Sequence, residues 1–138
     1  KLADDLAFGL DALRTHERLR QQTALLESYM SHSSALMYVA DLENRLIYAN
    51  PALDRAVGTP PGLAIGRKRS ELLPPEVAEE HNANDLKVAG NGSPMEAEET
   101  NLENGRTHIY HTIKFPLRDS QGRIYAIGGV STDITWKK

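Results

Sequence analysis

The sequence predicts an α+β domain: a five-stranded antiparallel sheet with short helices, preceded by one long helix. Three observations carry this. Residues 105–135, GRTHIYHTIKFPLRDSQGRIYAIGGVSTDIT, read as two long strands, 107–117 and 123–134. Both are rich in Ile, Tyr, Val, Thr and Phe, which suit a pleated, half-buried surface. They are joined by Arg118-Asp119-Ser120-Gln121-Gly122, polar and ending in glycine as hairpin loops do. A second, shorter hairpin is predicted at 35–49. Between the two hairpins the alternation gives way to helix start and stop signals.

The totals set bounds. The chain has 138 residues, enough for one domain with a core plus one further element. Hydrophobic residues make up 40 % and charged residues 25 %, an ordinary globular composition. The net charge of -3 argues against a nucleic-acid surface. No apolar run is long enough to cross a bilayer. Cysteine is absent, which excludes disulfides, thiolate metal sites and cysteine nucleophiles. The chain begins with Lys and reads as a piece of a longer protein, cytoplasmic in location.

Residues 1–30 contain no proline and a single glycine, Gly9, among strong helix formers. Leu2, Leu6, Leu10 and Leu13 share one side of that helix. Phe8, Ala12, Leu19 and Leu26 share another, with Leu19 and Leu26 one heptad apart. A helix with two apolar stripes reads as a connector, and as a candidate dimer contact. Ser31-His32-Ser33-Ser34 then breaks the pattern.

Residues 35–41, ALMYVAD, form the first strand, Leu42-Glu43-Asn44 the turn, and 45–49, RLIYA, the returning strand. Asn50 is a good N-cap and Pro51 a good first helical residue, so a short helix runs to about Val57. Gly58-Thr59-Pro60-Pro61-Gly62 cannot continue it. A longer helix opens at Pro75, with Glu76, Glu79 and Glu80 near its positive end, and stops at Gly90 or Gly92. Val77, His81, Asp85 and Val88 lie near one face of it. Residues 95–102 form the third strand, closed by Glu103-Asn104-Gly105. That turn allows two registers. A two-residue turn sets Glu98 opposite His111, and a three-residue loop sets it opposite Tyr110. A one-residue slip exchanges the faces. By pattern alone, Ile109, His111, Ile113 and Phe115 belong to the core.

The string ALMYVADLENRLIYANPALDRAVG, then Ile65-Gly66-Arg67, then Glu71-Leu72-Leu73-Pro74, resembles the opening half of a PAS domain. The final hairpin ending in Asp133-Ile134-Thr135 resembles the closing edge of one. The likeness covers residues 35–135 and is nearest to PAS domains of bacterial sensor kinases and cyclic-di-GMP (GGDEF/EAL) enzymes. LADDLAFGLDALRTHERLR is similar to the last helix of a GAF domain running into a linker. The resemblance implies a sheet in the order 2-1-5-4-3 with short helices on one face. It implies a linker helix over 1–32, a PAS domain over 33–135 and the start of a C-terminal linker at 136–138. The implied function is a sensory module that binds a small molecule, dimerises, or does both, to control an output domain elsewhere in the parent chain. A purely structural dimerisation module with a filled cavity is the alternative. Asp133, Ile134 and Thr135 are then the signal relay.

In that family the long helix lines the ligand cavity. The implied cavity set is Tyr38, His81, Asp85, Glu98, Tyr110, Thr112, Lys114 and Ile127. With the three-residue loop, Lys114 shares the inner face with Glu98, which becomes its internal partner. A small anionic ligand is the external one, since a buried ammonium needs a counter-charge. Ile109, Ile113 and Phe115 are left for the N-terminal helix or a second subunit. The outer sheet face and that helix are thus the expected homodimer surface.

The remaining motifs carry little chemistry. His108 and His111 are three apart on a strand and point to opposite faces, so the histidines make no metal site. His81 stands where haem-binding PAS domains carry their axial ligand, and haem or flavin is the lesser alternative to a cofactor-free domain. Arg67-Lys68-Arg69-Ser70 replaces the flavin-binding Asn-Cys motif of the LOV branch, and without cysteine no flavin adduct can form. No nucleophile elbow or phosphate loop is present, so this chain is expected to have no catalysis of its own. Gly128-Gly129, inside a strand, reads as close packing. Glu96, Glu98 and Glu99 read as a solvated edge.

Overall fold

The computed structural model describes residues 2–137. The chain divides into two compact units, residues 1–32 and 33–138.

The first unit is one helix, α1 (Leu2–His32), which extends slightly past the expected stop. The His32 ring nitrogen Nδ1 lies 2.8 Å from the Ser28 carbonyl and adds a last turn. No side chain of α1 is buried, and Phe8, Leu19, Leu26 and Tyr29 are all exposed. No helix among the described residues is long and apolar enough to cross a membrane.

The second unit is built on β1 (Leu36–Asp41), β2 (Leu46–Ala49), β3 (Met95–Glu103), β4 (Arg106–Arg118) and β5 (Ile124–Asp133). They form an antiparallel sheet in the order β2-β1-β5-β4-β3. The first and last strands in sequence are thus central neighbours. Three helices lie between the hairpins: α2 (Pro51–Val57), α3 (Arg69–Leu72) and α4 (Pro75–Asn91). A 3-10 turn, Thr135–Lys137, follows β5.

Local chemistry explains the corners. Asn50 caps α2 by accepting a hydrogen bond from the Leu53 amide, and Pro51 sits at its first turn. The Asn50 amide also donates to the Ala35 carbonyl, and its oxygen accepts from the Met37 amide. One side chain therefore fixes both the end of the first hairpin and the start of α2. Asp41 and Asp119 close their hairpins in the same way: each Oδ1 accepts two backbone amides of its own loop.

The β3–β4 turn decides which residues face inward. Asn104 and Gly105 both have positive φ, 52° and 77°, so the loop is the two-residue kind whose twist matches the strands. Glu98 is therefore opposite His111, and Glu99 is opposite Tyr110. The expected placement of Glu98 on the inner face is overturned: Glu98 is exposed on the other face, and Glu99 is buried in its stead. The solvated-edge reading of Glu99 falls with it. The burial expected from pattern alone is reversed as well. Tyr110, Thr112 and Lys114 are buried, whereas Ile109, His111 and Phe115 are half-buried and Ile113 is exposed.

The apolar core is small. It gathers Leu36, Tyr38, Leu46, Leu53 and Tyr110 with several alanines, and α2 packs against β1 over it. Gly128 and Gly129 in β5 let two rings lie flat on the sheet, Phe115 against one face and Tyr38 against the other. A Cβ at either glycine would stand well inside contact distance of the ring above it.

Candidate functional site

The inner face of the sheet, covered by α3 and α4, holds a cluster of buried charges. Its members arrive from several elements. His81 and Asp85 are four residues apart on α4, so they share its inward face with Ala78 and Val88. Lys114 stands in the middle of β4, which two neighbouring strands flank. Glu99 and Asn101 alternate inward on β3, and α3 supplies Arg69. Tyr38 comes from β1.

Lys114 is fully buried. Its Nζ lies 2.7 Å from Asp85 Oδ1 and 3.3 Å from Glu99 Oε2. Arg69 Nη1 donates to the other oxygen of Asp85 and, at 3.2 Å, to Asn82 Oδ1. Asn84 donates to Glu99 Oε2 at 2.8 Å. The His81 ring is held between two oxygens, with Nε2 2.9 Å from Asn101 Oδ1 and Nδ1 2.9 Å from Glu99 Oε1. The second contact is close but poorly aligned, so Glu99 Oε1 has no well-directed hydrogen bond. The Tyr38 ring faces both cations, with the Arg69 guanidinium 5.2 Å and the Lys114 ammonium 5.5 Å from its centre.

The electrostatics follow from this geometry. Burial works against the Lys114 charge. The Tyr38 oxygen, Asp85 and Glu99 outweigh burial and the repulsion from Arg69, and its pKa is raised. Arg69 is raised for the same reasons, with burial opposed chiefly by Asp85. Burial pushes Glu99 up, but the His81 contact, Lys114 and Asn84 together bring its carboxyl down to about 2. Two cations, Arg69 and Lys114, thus meet two carboxylates, Asp85 and Glu99, and the formal charge of the four balances.

Beside this cluster lies a cavity of about 30 Å³. Its walls are mostly aliphatic, with Leu36, Leu46, Leu53 and Leu72 among them. Tyr38, Arg69, His81 and Asn101 supply polar walls. The Tyr38 hydroxyl and Arg69 Nη2 are buried and have no hydrogen-bond partner among the described residues.

Of the residues expected at the cavity, Tyr38 and His81 line it. Asp85 and Lys114 form the charged layer behind it. Tyr110, Thr112 and Ile127 are buried on the inner face but do not line it. Thr112 pairs with Ser131 across the strands, and the Tyr110 phenol donates to Glu103 at the sheet edge. Glu98 lies on the opposite face. Sequence reasoning missed Arg69, Glu99, Asn84 and Asn101. Glu99 and Asn101 had a signal: once the turn is a two-residue one, they alternate onto the face of Lys114. Arg69 had none, because a basic run carries no apolar period.

At the far end of β5, Asp133 Oδ1 accepts from the Thr135 amide at 2.9 Å and its hydroxyl at 2.6 Å. Asp133 Oδ2 lies 2.8 Å from His108 Nδ1. The Ile134 amide donates to the Ile109 carbonyl, and the Ile109 amide to the Thr135 hydroxyl. The three residues expected to relay a signal therefore tie the chain's exit to β4.

One antiparallel sheet in this order, with short helices and a small cavity against its inner face, is the architecture of a PAS fold. Residues 30–138 match the family model described as PAS fold, and the chain belongs to that family. It is 24 % identical over 136 residues to the methanogenesis regulatory histidine kinase FilI of Methanothrix harundinacea. That match covers 97 % of this chain but 15 % of the kinase. The fold also superposes on a chain of the Vibrio cholerae VqmA dimer solved without its target DNA. There the TM-score is 0.72 and the identity 26 %, over 85 % of this chain and 52 % of that one. VqmA bound to DPO gives a TM-score of 0.71 at 25 % identity, over 83 % of this chain and 57 % of that one. The chain thus spans a small part of the kinase and about half of VqmA.

Proposed function

We propose that this chain is the sensory module of a signal-transduction protein. A small molecule occupies the cavity beside Tyr38 and Arg69, and its presence reaches a downstream output domain through β5 and the exit turn. The observation that carries this reading is a pair of buried polar atoms without a partner among the described residues, the Tyr38 hydroxyl and Arg69 Nη2, on two side chains that line a mostly aliphatic cavity. A buried polar group without a partner costs about 1–3 kcal/mol, which an occupant would offset. The likeness to VqmA, solved with DPO bound, supports a ligand site in this fold. The likeness to FilI supports a sensor histidine kinase as the parent. The route to the output is structural: Gly129 lies under the Tyr38 ring, and the same strand ends at Asp133.

Native mass spectrometry of the purified chain tests this. The expected result is a small non-covalent adduct that leaves on denaturation and is lost in Tyr38→Trp, which fills the cavity. A chain free of adduct, whose melting temperature no small molecule raises, would make it a filled structural module.

His81 belongs to this cluster as a structural member rather than a haem ligand. Both its ring nitrogens already face oxygens at 2.9 Å, and the cavity is far smaller than a porphyrin. The purified chain should be colourless, with no Soret band after expression with a haem precursor.

A second reading concerns assembly, and α1 favours it. Phe8, Ala12, Thr15, Leu19, Gln22, Leu26 and Tyr29 follow one another at alternating steps of four and three, the spacing of a two-helix seam. Phe8, Leu19, Leu26 and Tyr29 are exposed, as is Ile113 on the outer sheet face. We infer a homodimer through these surfaces, in keeping with the dimer described for VqmA. Sedimentation should show Leu19→Glu with Leu26→Glu shifting the chain to monomer. An unchanged dimer fraction would remove α1 from the interface.

A further inference from the structure

We propose that the cavity selects a small uncharged molecule, one that offers a hydrogen-bond acceptor to Arg69 and a polar group to Tyr38. The inference rests on the reading of this cavity as a ligand site and narrows its ligand to one chemical class.

Charge balance is the first argument. Lys114 is the cation that an anionic ligand would be expected to seek. It is already held by Asp85 at 2.7 Å and Glu99 at 3.3 Å, and it does not line the cavity. Arg69, which does line it, is paired with Asp85. With two cations and two carboxylates already paired with one another, a ligand carboxylate would bring a negative charge that these four groups do not match. A ligand cation would bring the opposite excess. Either would lose its hydration without a counter-ion in return.

The unused hydrogen-bonding capacity is the second. Arg69 Nη1 is engaged by Asp85 and Asn82, but Nη2 is not. A guanidinium nitrogen can only donate, so the occupant must present an acceptor. The Tyr38 hydroxyl can donate or accept, so it places no sign on its partner. A carbonyl oxygen with an adjacent amide or hydroxyl group meets both needs without carrying charge.

Size and lining are the third. The volume of about 30 Å³ is two to three times what one water needs by the same measure, about 10–15 Å³. That admits a few non-hydrogen atoms. The leucines around the polar pair favour a molecule with an apolar side over a cluster of waters.

Acetamide and acetate are nearly the same shape and differ in charge, so they separate the cases. Each is titrated into the full 15N-labelled chain while the amides of Leu36 and Leu53 and the Arg69 side chain are followed by NMR. The expected result is saturable acetamide shifts at these positions, with acetate at least tenfold weaker. Tyr38→Phe, which removes only the hydroxyl, should weaken acetamide severalfold with the spectrum otherwise intact. Tighter binding of acetate would overturn the uncharged class and leave the ligand cavity standing. Binding of neither would overturn both readings, with water as the only occupant.

Discussion

Lys114 Nζ and Asp85 Oδ1 lie 2.7 Å apart, and hardly any of either side chain is exposed to water. The pair joins the middle of β4 to the inner face of α4 in the interior of the domain. Its strength depends on Arg69 and Glu99 completing the balance. Removing one member should therefore do more harm than removing two of opposite sign. Lys114→Met should cost about 3–5 kcal/mol, because two carboxylates would share the single cation Arg69. Lys114→Met with Glu99→Gln should recover much of that loss. Urea unfolding of the single and double variants measures it, and additive losses would show that the charges are not coupled.

Acid should find the same cluster. The Glu99 carboxyl is brought from 4.5 to about 2 in the folded chain. Because the folded value is the lower one, its contribution is fully present above about pH 4.5 and is lost as pH falls toward 2. A shift of this size corresponds to roughly 3 kcal/mol. Unfolding free energy should therefore fall through that window in the native chain. Glu99→Gln should start less stable and show a shallower slope there. Parallel pH profiles would assign the acid sensitivity to other carboxylates.

The two glycines of β5 give a packing test. Gly129→Ala puts a methyl group into the Tyr38 ring. It should cost about 1–3 kcal/mol as overpacking. Tyr38→Leu in the same chain should relieve part of it. Gly90 is the contrast: it lies in α4 with nothing near its Cβ position, so Gly90→Ala should stabilise by about 0.5–1 kcal/mol. Denaturant midpoints separate the two, and equal effects would mean that the ring does not rest on Gly129.

Local chemistry was legible in the sequence, and compensation across elements was not. Asn50-Pro51 announced α2 because a cap and a first-turn proline act within a few residues. The strands announced themselves by composition, and their order came through resemblance. Asn104-Gly105 marked a turn but not its length, and that ambiguity moved a whole face: Glu98 for Glu99. No rule of periodicity buries a glutamate at a strand face. Glu99 is buried because Lys114, His81 and Asn84 come to it from β4 and α4. Arg69 was invisible for the same reason, since its partner Asp85 lies on another helix.

The exit of the domain yields the last prediction. Asp133 receives the Thr135 amide and hydroxyl on one oxygen and faces His108 with the other. The groups around His108 are Asp133 on β5, Glu103 on β3, and Arg106 and Tyr110 on β4. The hydrogen bond to Asp133 leads in raising the His108 pKa, with Glu103 adding to it and Arg106 opposing. Burial would raise Asp133, but the Thr135 hydrogen bonds and then His108 leave it lowered. The folded value of His108 is the higher one, so the tie is fully charged below the ordinary histidine range. It weakens as pH rises through the raised value. NMR titration should place His108 above an ordinary histidine, and Asp133→Asn should bring it down. Hydrogen exchange of the Thr135 and Ile134 amides should quicken as pH rises through that transition, beyond the intrinsic base dependence, while the Ile127 amide in the core keeps its protection. Asp133→Ala should remove the pH step and loosen the turn Thr135–Lys137 at every pH. In the parent protein it should uncouple output from ligand with affinity unchanged. A His108 titration indifferent to residue 133 would sink this account of the joint.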